Sequence, residues 1–300
     1  MKLIRDTDID YNRYLRAEEV SSVRPASDYA ESTIEYMYGP KANAGGYLPW
    51  RRTHSNIRLR PAEFSIWAGV NGHGKSGLLN QVMLWLNTQS ELACIASMEM
   101  TPEATMKRYY RQYSGREDPS PKLIREEIGP WSDGKLWLYD KQGTVSAEKI
   151  LAVIRYCFAE LKVSHFVVDS LLKCGLAEDD YNGQKAFAND LFDIAKEYHG
   201  HIHLVCHSRK RETERKPMDK FDIKGSGSLA DIADNIFTVW KNKAKLDDPE
   251  KHVDAVDAVL ICDKQRHGEW EGRIPLWYHK PSFQCLAAPS NSPMRLGEFG

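Results

Sequence analysis

The sequence predicts an α/β fold whose sheet is mainly parallel, covered by helices on both faces and extended by antiparallel strands at its C-terminal end. Three observations predict it. Gly69-Val70-Asn71-Gly72-His73-Gly74-Lys75-Ser76 matches G-x-x-x-x-G-K-[S/T] and lies between a β-rich stretch, Phe64 to Ala68, and a helical pattern at Leu78, Leu79, Val82, Met83 and Leu86. From residue 62 onward, apolar strand-like runs alternate with helical periods. After residue 207 the alternation gives way to a polar loop, a short helix and three more strand-like runs.

Taken in order, residues 1–60 read as an N-terminal arm and linker. A short helix is expected over 28–38, stopped by Gly39-Pro40, and Gly45-Gly46-Tyr47-Leu48-Pro49-Trp50 follows as a turn-rich tether. This stretch carries too little apolar surface for a core of its own. Two readings stand for it: an amphipathic helix that docks on a neighbouring subunit, or disorder. The domain proper is expected over 61–286, with strands near 62–69, 91–97, 135–140, 163–169 and 201–207. Helices fall between them near 75–89, 101–114, 146–160 and 184–199. Strands near 235–241, 255–262 and 274–278 are expected to extend the sheet as antiparallel strands, and residues 287–300 read as a flexible tail.

Composition bounds the function. With 42% hydrophobic residues and no apolar run near the ~18–20 residues of a membrane span, a soluble globular protein with no membrane partner is expected. The first residues, Met-Lys-Leu-Ile-Arg-Asp, break into charge at once, so no secretory leader is expected. A net charge of −1 means that any nucleic-acid-binding surface is local. The six cysteines include no C-x-x-C pair, and Cys94, Cys206 and Cys262 lie inside apolar strand patterns. They read as reduced core residues of a cytoplasmic protein.

The loop supplies the first chemistry. Backbone N–H groups from Gly69 to Gly77 would surround the phosphates of ATP or another NTP or dNTP. Lys75 would neutralise the β- and γ-phosphates, and the Ser76 hydroxyl would ligate Mg²⁺. In sheets of this kind ligands bind at the carboxyl ends of the strands, so strand-end residues carry the remaining candidates. Glu99 follows the strand ending at Ser97 and reads either as a base for the attacking water or as a charge at the start of the next helix. Asp169 closes the apolar run 163–168 in the manner of a Walker B carboxylate that holds Mg²⁺, although Asp is also a common turn residue. His207 closes the run 202–206 and could touch the γ-phosphate. A metal site among His199, His201, His203 and His207 is a competing reading, as is an ordinary polar strand end.

Residues 208–224 hold seven basic and four acidic side chains in an otherwise nearly neutral chain. Arg209, Lys210, Arg211, Arg215, Lys216, Lys220 and Lys224 are the cations, and Gly225, Ser226, Gly227 and Ser228 follow with groups suited to phosphate oxygens. A solvated surface loop is the alternative. Because the segment starts at His207, it can couple nucleotide state to loop position. Lys264 and Arg266, at the end of the run 258–262, could project into the ATP site of an adjacent subunit or belong to an ordinary charged hairpin.

Taken together these motifs resemble the RecA-like motor of DnaB-family hexameric replicative helicases, above all the helicase half of phage primase–helicases and Twinkle. The resemblance spans roughly residues 47–285. It is carried by Leu48-Pro49-Trp50, the phosphate loop, Ser97-Met98-Glu99-Met100, Asp169, His207, Lys224-Gly225-Ser226-Gly227-Ser228-Leu229 and Lys264-Gln265-Arg266. The resemblance implies a RecA-like P-loop core, Glu99 as catalytic base, Asp169 as Walker B carboxylate and His207 as γ-phosphate sensor. It further implies Arg266 as a trans-acting finger with Lys264 beside it, and the 208–228 segment as a channel loop holding single-stranded DNA. Family members translocate 5′→3′ as rings, so a homo-oligomer, in the family a hexamer, is expected, with a primase and a DNA polymerase as possible partners. Host cytoplasm is the setting if the chain is phage-encoded. Two departures stand out. Lys224 replaces the usual Arg, and no primase-like stretch precedes the motor, so priming falls to another protein or to a longer chain. The rival classes are a RecA- or RadA-like recombination ATPase that forms filaments and an oligomeric ATPase that does not translocate.

Overall fold

The computed structural model describes residues 6–15, 25–39, 45–208 and 228–296. Among them, strands β1 (Phe64–Ala68), β2 (Ala93–Ser97), β3 (Leu136–Leu138), β4 (His165–Asp169), β5 (His201–Val205), β6 (Asn235–Lys241), β7 (Ala258–Gln265), β8 (Gly272–His279) and β9 (Gln284–Leu286) form one sheet. Its order is β3-β2-β4-β5-β1-β6-β7-β8-β9. The first six strands in that order are parallel, and β7, β8 and β9 run antiparallel. Every residue of β1, β4 and β5 is buried, as expected for strands sandwiched between helix layers.

One expectation is corrected here. The run at 235–241 is not antiparallel: β6 lies parallel to β1, pairing Ser65 with Asn235 and Trp67 with Phe237. The reversal comes one strand later: β7 pairs antiparallel with β6, Lys241 opposite Ala258, and the connection between them carries only the short helix Lys243–Asp247.

The helices are α1 (Tyr11–Leu15), α2 (Ala30–Tyr38), α3 (Lys75–Asn87), α4 (Pro102–Ser114), α5 (Pro121–Leu123), α6 (Gly129–Ser132), α7 (Ala147–Glu160), α8 (Tyr181–Tyr198), α9 (Ser228–Ile232) and α10 (Lys243–Asp247). A π-helical turn, Ile124–Ile128, joins α5 to α6. Local chemistry sets their ends. The Thr101 side chain accepts from Ala104 N with Pro102 in the first turn, Ser146 accepts from Lys149 N, and Asp180 accepts from Gly183 N. One core packs Phe64, Ile66 and Phe166 against Ile150 and Ile154 of α7 and Phe187 and Leu191 of α8. A second, on the other face, packs Trp67, Val167 and Val205 against Leu79 of α3 and Tyr109 of α4.

The described parts of 45–60, of α1 and of 287–296 are more firmly held than their composition suggests. Leu48, Trp50, Ile57 and Leu59, within the expected linker, are buried in the second core, and Trp50 Nε1 donates to the Cys285 carbonyl at 2.8 Å. In α1, which the sequence pattern does not signal, Tyr14 is buried and donates to Glu160 Oε1 at 2.6 Å, while Arg155 donates to the Tyr14 carbonyl. The segment 287–296, expected to be flexible, is fixed to the domain. Leu296 is buried, Met294 exchanges hydrogen bonds with Gln284, and Arg295 pairs with Glu127 at 2.9 Å. A single leucine, two backbone groups and one ion pair anchor a polar stretch, a pattern with no periodicity to read.

Candidate active site

The phosphate loop leaves the carboxyl end of β1 and enters α3. Gly69 takes φ 148°, and a Cβ there would run into the Val239 carbonyl oxygen of the neighbouring strand, so only glycine fits. Gly74 takes φ 87° at the N-cap of α3, a left-handed turn that aims the first N–H groups of the helix outward. Lys75 folds back over the loop. Its ammonium donates to the carbonyls of Gly69 at 2.8 Å and Val70 at 3.1 Å and lies 3.4 Å from His207 Nδ1. Burial pulls its pKa below the ordinary lysine value, with Asp169 opposing.

Sheet order brings the strand-end candidates to this point. β4 and β5 lie between β2 and β1, so Asp169, His207 and Glu99 converge on the loop. Asp169 is buried, which raises its pKa, and a hydrogen bond with Ser76 opposes that rise. A buried carboxylate touching the Ser76 hydroxyl is a hard-oxygen pair that fits Mg²⁺. Glu99 Oε1 accepts from Ser170 Oγ at 2.7 Å and lies 3.8 Å from His207 Nε2. The His207 imidazole first, and then the Ser170 hydroxyl, hold the Glu99 pKa down to about 2 against the effect of burial. Glu99 is therefore an ionised acceptor at neutral pH.

Two openings flank the loop. One, of about 950 Å³, is bordered by Val70, Asn71, Glu99, Lys173 and His207. The other, about 630 Å³, is bordered by His73, Gly77, Arg108, Tyr278 and Phe283. Neither Ser170 nor this aromatic wall is foreseen from the sequence. The one signal is a small hydroxyl directly after the strand-end Asp.

Lys264 and Arg266 lie elsewhere. β7 runs antiparallel to β6 and sets Gln265 opposite Asn235, at the amino end of β6. Asn235 in turn pairs with Ser65, roughly 13 Å along β1 from the phosphate loop. Lys264 Nζ donates to the carbonyls of Ala230 and Asp231. Arg266 donates to the carbonyls of Asp231 and Ile232, pairs with the buried Asp234 at 3.1 Å and is 40% exposed. Neither reaches its own subunit's Lys75. The basic-loop candidates Arg209, Lys210, Arg211, Arg215, Lys216, Lys220, Lys224, Gly225, Ser226 and Gly227 lie outside the described residues.

The metal alternative among His199, His201, His203 and His207 is corrected. His207 belongs to the Lys75 cluster, and His199 ends α8 in the left-handed region. His201 and His203 instead meet His165 of β4. Trp67 Nε1–H can only donate, so His203 Nδ1 accepts it at 3.1 Å, and Nε2–H then donates to His165 Nδ1 at 3.1 Å. The Arg60 carbonyl can only accept, so His201 Nδ1–H donates to it at 2.6 Å and Nε2 accepts from Ser65 Oγ at 2.7 Å. Burial pushes all three below the ordinary histidine pKa, His201 to about 4. The imidazoles are neutral, and the nitrogens that approach one another are committed to hydrogen bonds rather than aimed at an ion.

Comparison with known proteins agrees with this fold. A search of curated sequences gave no match. A family profile, the DnaB-like helicase C terminal domain, matches residues 57–284. Among solved structures, the ATPase domain of G40P superposes with a TM-score of 0.69 at 17% identity, covering 88% of this chain and 99% of that one. A DnaB-like replicative helicase, studied with its interactions with primase, superposes with a TM-score of 0.67 at 17% identity, covering 89% of this chain and 68% of that one. The chain belongs to the DnaB-like helicase C-terminal domain family, and its enzyme class is that family's, an ATP-hydrolysing helicase.

Proposed function

We propose that this chain is the motor of a replicative-type DNA helicase that works as a ring, in the family a hexamer, with ATP bound between neighbouring subunits. The observation that carries the reading is the separation of Arg266 from Lys75. The phosphate loop, Glu99, Asp169 and His207 gather at the carboxyl ends of the parallel strands, while Arg266 stands at the amino end of β6. A finger that cannot reach its own site can serve a neighbour's. The exposed Ile34, Met37 and Tyr38 of α2 also support assembly, because their spacing puts them on one helix face, where another subunit can meet them.

In the proposed reaction the triphosphate displaces the Gly69 and Val70 carbonyls from Lys75, which then neutralises the β- and γ-phosphates. The base enters the cavity beside Tyr278 and Phe283. Ser76 and Asp169 would hold Mg²⁺, which would neutralise phosphate charge when bound. Glu99 takes the proton of the water that attacks the γ-phosphorus, and the bond to the β–γ bridging oxygen breaks, leaving ADP and phosphate. His207 senses the γ-phosphate and hands the change to the segment that follows it. Through Arg209, Lys210, Arg211, Arg215, Lys216, Lys220, Lys224, Gly225, Ser226 and Gly227, that segment holds single-stranded DNA in the channel. Translocation runs 5′→3′, and a primase and a polymerase are the expected partners, in the host cytoplasm if the chain is phage-encoded. Among the described residues no helix is long and apolar enough to cross a membrane.

Particle images of the protein with a non-hydrolysable ATP analogue and single-stranded DNA test this. Closed rings are expected. Long filaments would favour a recombination ATPase, and monomers would remove the shared site.

A further inference from the structure

The wall of the 630 Å³ cavity is positioned from inside the protein. Phe283 sits at φ 58° in the turn between β8 and β9, its ring near-parallel to Tyr278 with centroids 6.4 Å apart. The Arg111 guanidinium lies 3.8 Å from the ring centroid on the inner side. The Phe283 carbonyl accepts from Gln112 Nε2 at 3.0 Å. The same Nε2 donates at 2.9 Å to the carbonyl of Gly77, in the first turn of α3. Gln112 Oε1 accepts from Asn80 Nδ2 at 2.7 Å, and the side chain is fully buried. One carboxamide therefore joins the end of the phosphate loop to the turn that carries the aromatic wall.

Neighbouring amides reinforce the joint. Gln284 Nε2 donates to the Gln112 carbonyl at 2.7 Å, and Gln81 grips both backbone groups of Cys285. Replacing Gln112 with an apolar residue would leave the Gly77 and Phe283 carbonyls and the Asn80 amide without this partner. A buried polar group so abandoned is costly, and the strained turn at Phe283 is the part free to move.

We propose that Gln112 is a positioning residue for nucleotide selectivity, holding Phe283 and Tyr278 at a fixed distance from the phosphate loop so that base and triphosphate are gripped together. The inference rests on the reading that the base enters this cavity. It assigns selectivity to a residue that touches neither base nor phosphate.

Calorimetry of wild type, Gln112→Leu, Phe283→Ala and the double variant, with an ATP analogue and with inorganic tripolyphosphate, provides the test. Each single variant is expected to weaken the analogue about tenfold, the scale of one base-stacking interaction, and to leave tripolyphosphate unchanged. The double variant should lose no more than either single one, because both act through one wall. Equal weakening of both ligands by Gln112→Leu would mean that Gln112 serves only the phosphate loop, and would overturn the proposal. Additive losses, or unchanged analogue affinity, would also overturn it. Should Gln112→Leu not fold, Phe283→Ala decides, since it keeps the amide network; normal analogue binding by that variant overturns the proposal. If wild type binds both ligands alike, the base lies elsewhere and the inference fails while the phosphate site stands. If wild type binds neither, the nucleotide reading itself fails.

Discussion

Ser170 Oγ donates to Glu99 Oε1 at 2.7 Å, joining the residue after the Asp169 strand end to the carboxylate after the neighbouring strand. Ser170 is fully buried whereas Glu99 is exposed, so a donor fixed in the core holds one oxygen of Glu99 at the edge of the site. The other oxygen is left to meet a water.

Ser170→Ala should therefore lower kcat about tenfold while leaving KM for ATP nearly unchanged, the signature of an interaction that orients the reacting group rather than binds substrate. Ser170→Thr, which keeps the hydroxyl, should retain most of the rate. Steady-state hydrolysis assays decide. A raised KM with normal kcat would mean that Ser170 serves binding.

The stacked histidines make a pH prediction. His201 titrates near 6.5 in the unfolded chain and near 4 in the folded one, so its native state resists a proton that the unfolded state accepts. Above pH 6.5 it adds no pH dependence. As pH falls from 6.5 to 4 it removes stability at about 1.4 kcal/mol per pH unit. Glu63 and Asp169, raised by burial, act in the opposite sense. The clean comparison is therefore wild type against His201→Gln. The cost of the substitution, read from urea midpoints, should shrink as pH falls through this window. A cost independent of pH would mean that His201 is not held neutral.

Much of the site was legible because parallel strands deliver their ends to one edge. Glu99, Asp169 and His207 each close an apolar run, and the loop at Gly69 marks where those ends must meet. What escaped depends on contacts across elements. His165 joins His201 and His203 only because β4 lies beside β5, an adjacency that no local period encodes. Gln112 faces inward on an otherwise amphipathic helix, and its three partners come from α3 and from the turn before β9. The buried placement of Leu48, Trp50, Ile57 and Leu59 was hidden by the glycines and proline around them, which read as a linker.

The basic segment after His207 makes a prediction about DNA. Replacing Arg209, Lys210 and Arg211 with Ala should weaken single-stranded DNA binding and flatten its salt dependence, by up to ~0.7 in slope for each phosphate that is no longer neutralised. Titrations at several salt concentrations measure both. Unchanged affinity and slope would remove these residues from the channel.

The central claim is that each active site is completed by the next subunit's Arg266. Lys75→Ala and Arg266→Ala are each expected to be inactive; in the second, Lys196 still faces Asp234 at 3.4 Å, so the buried carboxylate keeps a cation. In a random equal mixture, one interface in four pairs a sound Lys75 with a sound Arg266. ATP hydrolysis by the mixture should therefore recover to about a quarter of the wild-type rate. No recovery at any mixing ratio would contradict the shared site.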